Sequence, residues 1–451
     1  MADLFPFSSP CRVEFHDGLE DLRPIFEEFR AQLQRELGAP FEFSALSTAD
    51  VPVWTLRLGA PIPRLIMNRA RRTLCAEAPD RDGVLETLSL LRDLHSYPDG
   101  VIEVRDCRDS EECFERVFSA LGTTWPGFEI KPIDWASLSA RFRPRVLSAD
   151  DPVPVVQEWL AHLGDAHTGL KPSPPWGRLP YRARVVGPDL VLEEVPEDTA
   201  GYRAGARAGD VLVGLDLESL TRRVSASAHS KSRVAGLRAL QGPPRQETRL
   251  STRRGVQWTE AYSLHPWPCP IEVCAGRAGT PILRIRAWHT DYEEALDQAM
   301  EDLSDAPRII VDLRGNGGGN FMMATRFRGR FLERDQQVGT IRSTLPGGGL
   351  GPVHPLEGRA AARDRQWRKP ARFWIDEETY SASEDCLLGL AGRPNITICG
   401  RTSGGGSGRM RTLRFVPGWR LTISTCLTFT QDGHCIESQG IPVDTTRLDE
   451  D

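Results

Sequence analysis

The run from Arg308 to Asn320, RIIVDLRGNGGGN, constrains the fold more than any other segment. Ile309, Ile310 and Val311 form a short, continuous β-branched run bounded by glycine, the pattern of a strand buried on both faces. Glycines at 315, 317, 318 and 319 follow, and they let a backbone turn sharply while exposing N–H groups toward a ligand. The same glycines also read as a tight strand-to-helix turn. A nucleotide site does not fit them, because no Lys-Ser/Thr follows as in a P-loop and Asn320 breaks the GxGxxG pattern. Around this strand, PILRIRAW, ARFWID and ITICG alternate with the helical stretches EEALDQAMEDL and SASEDCLLGLAG. Such alternation argues an α/β core built around a sheet.

With 451 residues the chain is long enough for about three domains. The expected organisation is a multidomain α/β (α+β) protein. Residues 1–135 are an α+β region of unassigned role, in which Leu22, Ile25, Phe26, Phe29, Leu33 and Leu37 share a helix face. Residues 136–177 are a helical segment with Val156, Trp159, Leu160 and Leu163 on one face and Gly164 as its stop, followed by GDAHTGL and the linker KPSPPWGRLP. Residues 178–265 turn to short strands and loops, which argues a small, mostly β module, and 266–451 are the α/β core.

Net charge is −6 with both signs interspersed, so no polybasic face presents itself and nucleic acid is excluded as a partner. No run of 18 apolar residues occurs, and the opening MADLFPFSSPCRVEFHDG lacks a basic segment followed by an apolar one. The expectation is a cytoplasmic protein with no membrane partner. Ten cysteines are scattered, and the close pairs Cys107/Cys113 and Cys269/Cys274 lack CxxC spacing and histidine neighbours, so reduced thiols and neither metal nor cofactor are expected. Oligomeric state is not written in the sequence.

Chemistry concentrates in a few places. Ser381 follows a strand and opens an apolar helix, where N–H groups and the helix dipole favour developing negative charge. Ser381-Ala-Ser-Glu384 is equally a capping box. His167 sits on a loop three residues past the helix stop, between Asp165 and Thr168. Near the C-terminus, DGHCIESQGIPVD carries His434, Glu437 and Asp444.

Taken in order, GDAHTGL, RIIVDLRGNGGG, SASE and ESQGIPVD resemble the motifs of the S41 family of serine peptidases, over roughly residues 136–451. AGARAGDVLVGLD is similar to the PDZ module embedded in that family. The resemblance implies an S41-like catalytic core with an inserted PDZ-like module, and peptides or unstructured protein segments as substrates. It implies Ser381 as nucleophile rather than Ser383. The Ser-Lys branch of the family places a lysine after the nucleophile, but no lysine follows Lys369, and arginine cannot accept a proton. Only Lys131, Lys171, Lys231 or Lys369 could reach in from elsewhere. The tricorn-like arrangement assigns His167 as base, Glu437 as its orienter, and the N–H groups of Gly318 and Ala382 as oxyanion donors. The expected acid limb of kcat/KM lies at about pH 6.5 to 7.5. The competing expectation is a non-catalytic peptide-binding or ligand-binding protein on the same scaffold.

Overall fold

The computed structural model describes residues 105–448 apart from 265–268, 277, 278, 346, 347 and 407, and, of residues 1–104, chiefly the five strands of one sheet. The helical face read at Leu22 to Leu37 lies outside the described residues.

The α/β core is a five-stranded sheet in the order Ile271–Ala275, Pro281–Ile285, Ile309–Asp312, Ala371–Ile375, Ile396–Gly400. The first pair is antiparallel and the other three pairs are parallel. All four residues of the central strand Ile309–Asp312 are buried, as its uninterrupted apolar run requires of a strand covered on both faces. One face packs Leu283, Val311, Phe373 and Ile398 against the helices Glu293–Asp302, Phe321–Gly329 and Ala382–Leu387. The other face buries Ile282, Ile310, Trp374 and Cys399. Period-two alternation thus divides each strand between two cores. Three adjacent parallel strands end on the same edge, and ligand-facing loops collect at such carboxyl ends. Here those ends deliver the glycine loop after Asp312, the turn into Ser381 after Ile375, and the loop after Gly400.

A second body closes over this edge. The helices Ser110–Thr124, Trp135–Leu147 and Pro152–Ala161 bury Phe114, Trp135, Phe142 and Trp159 against Phe415, Leu421 and Ile423. Trp135 and Trp159 stack at 4.9 Å. Residues on both sides of position 135, Trp125 and Leu138 among them, share this core. The strand Gly169–Pro172 leaves it and pairs antiparallel with Trp419–Ser424.

The inserted module holds the three-stranded sheet of Val211–Leu212, Asp189–Glu194 and Arg182–Val186 and the hairpin Glu247–Ser251 with Gln257–Ala261. Its core gathers Tyr181, Leu190, Leu192, Leu212 and Trp258. The sequence predicts a mostly β module, whereas the structure adds the helices Ala200–Ala204, Leu217–Arg222 and Lys231–Ala239. The first two are short enough that an apolar period barely registers in them. Within the first 104 residues a mixed sheet runs Arg12–Phe15, Val53–Leu58, Thr73–Ala78, Arg64–Asn68, Gly100–Glu103. No helix among the described residues is long and apolar enough to cross a membrane.

Candidate active site

Ser381 stands at the start of the helix Ala382–Leu387 with φ 57° and ψ −121°, a backbone conformation that a side-chain-bearing residue adopts only under constraint. The constraint is Glu384. Its buried carboxylate accepts from Ser381 N at 2.9 Å and from Ser403 Oγ, Gly405 N and Gly406 N at 2.6 to 2.9 Å. Burial nevertheless pushes its carboxyl up to about 7. The glutamate of the capping box therefore ties the nucleophile turn to the glycine-rich loop at 403–406. Ser383 is elsewhere: it receives Trp288 Nε1 at 2.8 Å and donates to the Asn316 carbonyl at 3.0 Å, fully buried.

His167 arrives from the second body. Its Nε2 lies 3.0 Å from Ser381 Oγ across 214 positions of sequence. The loop is held from both ends: His167 N donates to Asp165 Oδ1 at 2.8 Å, and Thr422 Oγ1 donates to the His167 carbonyl at 2.6 Å. Asp165 in turn accepts from Trp125 Nε1, Thr168 Oγ1 and Ser424 Oγ at 2.6 to 2.9 Å. Burial pushes the imidazole down to about 4, opposed by the charge of Asp165 and aided by that of Lys171. The ring is neutral at neutral pH, the state a general base requires.

At Nδ1 the structure departs from the assignment. The group at 3.3 Å is the hydroxyl of Tyr380, whose ring lies 4.6 Å from the imidazole between centroids. Burial, with the charges of Asp165, Glu437 and Glu384 behind it, holds that phenol protonated well above its usual range. Glu437 is buried nearby, with Lys131 Nζ at 3.3 Å from its Oε1. The Tyr380 ring occupies the space beside the imidazole because the 403–406 loop makes room for it. A Cβ on Gly406 would lie 1.9 Å from Tyr380 Cζ, and one on Gly404 2.7 Å from its Cδ2. Sequence reasoning missed Tyr380, whose one trace is the pair of glycines at 404 and 406 that leave room for a bulky ring.

Gly318 and Ala382 come together at the nucleophile. A Cβ on Gly318, with φ +101°, would lie 2.8 Å from Ser381 Cβ and 3.1 Å from Ala382 N. Ala382 N–H has no acceptor among the described residues. Gly318 N–H donates to Asn316 Oδ1 at 3.0 Å, so it would have to be released from that bond to serve an oxyanion.

Among the lysines, Lys131 binds the carbonyls of Leu163 and Gly164 at 2.8 and 3.2 Å, Lys171 the carbonyl of Ala166 at 2.7 Å, and Lys369 those of Ser304 and Ala306. None of these bonds reaches Ser381. Asp444 exchanges bonds with the backbone of Ile398 at 2.8 Å, closing the end of the sheet. His434 Nε2 turns to the Gly440 carbonyl at 2.8 Å.

The module is fastened to the turn that presents Ser381. Arg182 pairs with Asp376 and Glu378, and Arg233 with Glu377 and Glu193. Asp376 Oδ1 also accepts from Gly315 N at 3.0 Å, so one carboxylate joins module, nucleophile turn and glycine loop.

Residues 280–447 match the model of peptidase family S41. His167 and the inserted module lie before that span. No curated protein matches the chain by sequence. Among solved structures, the photosystem II D1 C-terminal processing protease is similar over 76% of this chain and 94% of its own, at 17% identity and TM-score 0.51. Mature CPAF, solved with lactacystin, is similar over 75% and 93%, at 13% identity and TM-score 0.56. At such identity these likenesses speak for the fold. The matched domain is that of a serine-type peptidase. Residues 280–447 therefore carry a peptidase family S41 domain.

Proposed function

We propose that the chain is an endopeptidase that cleaves peptides or unstructured protein segments through an acyl-enzyme on Ser381. The observation that carries this reading is the 3.0 Å separation of His167 Nε2 and Ser381 Oγ, joining two distant segments at a constrained turn. Ser381 Oγ attacks the peptide carbonyl carbon while its proton passes to Nε2, and the same proton then goes to the leaving amine. Water repeats the sequence on the acyl-enzyme. For Nε2 to accept, the ring proton sits on Nδ1 and is donated to Tyr380 Oη. Asp165, whose charge favours the imidazolium, stabilises the protonated ring from its own loop. Glu437 acts at one remove, its charge bearing on Tyr380. The oxyanion is received by Ala382 N–H, joined by Gly318 N–H once substrate displaces it from Asn316. Each such donor is worth roughly 3 kcal/mol of barrier.

One observation favours the second reading, a binding protein on the same scaffold: the bond from Gly318 N–H to Asn316 leaves the oxyanion site short of a donor. Turnover of an unstructured protein such as casein by wild type, with none by Ser381→Ala, supports the endopeptidase. Absence of turnover and of acylation in wild type supports the binding protein.

A further inference from the structure

A cleft of about 270 Å³ opens between the helix Pro152–Ala161, the strand Gly169–Pro172 and the inserted module. Its charges do not balance. Lys171, Arg223 and Arg238 line it, against Asp151 as the one acid among the described lining residues. Asp151 is exposed and spends its carboxylate capping the helix at Val153 N, 2.9 Å away. The three cations are partly buried and meet only neutral acceptors: Lys171 the Ala166 carbonyl, Arg238 Gln241 Oε1 at 2.9 Å, Arg223 the Ser219 carbonyl at 3.2 Å. Arg182 and Arg233, by contrast, each meet two carboxylates. Charges withdrawn from water are ordinarily paired. Burial, then the charge of Arg238, pushes the Lys171 amine down to about 7 against the opposing charge of buried Asp165 behind the cleft wall, and burial alone lowers Arg238. Beside the cations the lining is aromatic: Trp176, 41% exposed, meets Trp419 at 5.7 Å and 63°.

We propose that this cleft binds an organic carboxylate with a flat apolar body, its anionic group held by Lys171 and Arg238 and its body against Trp176 and Trp419. The cations call for an anion, and the paired indoles for one that carries an apolar ring. A free small acid and the last residue of a peptide both present this chemistry. The cleft is built into the loop of the base, since Thr168 and Gly169 form its wall directly after His167 and Lys171 holds the Ala166 carbonyl. That coupling rests on the proposed role of His167, whereas the binding does not.

The test is isothermal titration calorimetry on full-length Ser381→Ala protein, so that turnover plays no part. N-Acetylphenylalanine should bind saturably, and its amide at least about tenfold more weakly. Lys171→Met and Arg238→Met should each weaken the acid at least about tenfold, with melting temperatures unchanged or higher because an unpaired cation has gone. An octapeptide ending in phenylalanine with a free carboxylate should match the acid if chain ends are the ligand, and be excluded if a free acid is. Equal binding of acid and amide, equal binding of inorganic phosphate, no saturation by about 10 mM, or unchanged affinity in both folded variants overturns the site. Loss of peptidase activity in Ser381→Ala bears separately on the catalytic reading.

Discussion

Tyr380 and Ser381, consecutive in sequence, bracket one imidazole: the hydroxyl of the first lies 3.3 Å from His167 Nδ1 and that of the second 3.0 Å from Nε2. The positive φ at Ser381 is the turn between them. A neutral phenol in the orienting position can accept from Nδ1–H as a carboxylate does, but, being a donor as well, it does not fix the tautomer by itself, and it brings no charge of its own to the imidazolium.

Tyr380→Phe keeps the ring that packs on Gly404 and Gly406 and removes the acceptor for Nδ1–H. It should lower kcat by about ten- to a hundredfold with KM little changed, in steady-state assays on one peptide. Wild-type kcat in a folded Tyr380→Phe protein would take the hydroxyl out of the mechanism.

The two carboxylates should separate. Asp165 bears directly on the charge of His167, while Glu437 has Lys131 beside it. Asp165→Asn should therefore reduce kcat more than Glu437→Gln, and it should also lower the melting temperature, because Asp165 accepts four hydrogen bonds. The reverse order of kcat losses would return the orienting role to Glu437.

The pH dependence follows from the buried imidazole. With His167 pushed down to about 4, kcat/KM should stay level through neutrality and fall as the pH approaches about 4, below the 6.5 to 7.5 expected from the sequence. The stability consequence has a definite sign. A histidine lowered on folding binds more protons when unfolded, so its contribution is full above about 6.5 and is lost as pH falls toward about 4. Glu384, raised to about 7, acts oppositely, stabilising below its unfolded value and losing that contribution as pH rises through about 7. Melting curves of His167→Gln against wild type should converge on acidification to about pH 4, and curves that stay parallel would contradict the shift.

Much of this was legible in the sequence, and what escaped did so for physical reasons. The strand Ile309–Asp312 and its glycines announce themselves because a strand buried on both faces leaves a solid apolar run. Ser381 was readable only as two things at once, and the structure shows why: Glu384 closes back on Ser381 N as a cap does, while the side chain faces His167. The reach of His167 was not derivable from spacing, since it depends on Thr422 and Ser424 of a strand some 250 positions on. The glycines at 404 and 406 leave room for a ring but do not name Tyr380, whose role is set by which residue an imidazole happens to face, and the pairing of Lys131 with Glu437 spans 306 positions.

Ser383 and Ser381 should respond differently to alanine. Ser383 bridges Trp288 and the Asn316 carbonyl in a fully buried setting, so Ser383→Ala should cost about 1 to 3 kcal/mol of stability and retain turnover. Denaturant melts and peptide assays on both variants check this, and an inactive but fully stable Ser383→Ala protein would shift the nucleophile by two residues.

Arg182 should be needed for a competent nucleophile turn. Removing it leaves Asp376 and Glu378 buried without their shared cation, at a cost of about 3 to 5 kcal/mol. Arg182→Lys should recover only part of that loss, because an ammonium cannot meet two carboxylates with the fork of a guanidinium. Full stability and activity in Arg182→Met would show that the module does not brace the turn.

The central claim is that His167 activates Ser381, and covalent labelling tests it most directly. A fluorophosphonate probe followed by peptide mass spectrometry should place the adduct on Ser381 in wild type, leave Ser381→Ala unlabelled, and label His167→Ala at least about a hundredfold more slowly. An adduct on another residue, or undiminished labelling of Ser381 in a folded His167→Ala protein, would contradict it.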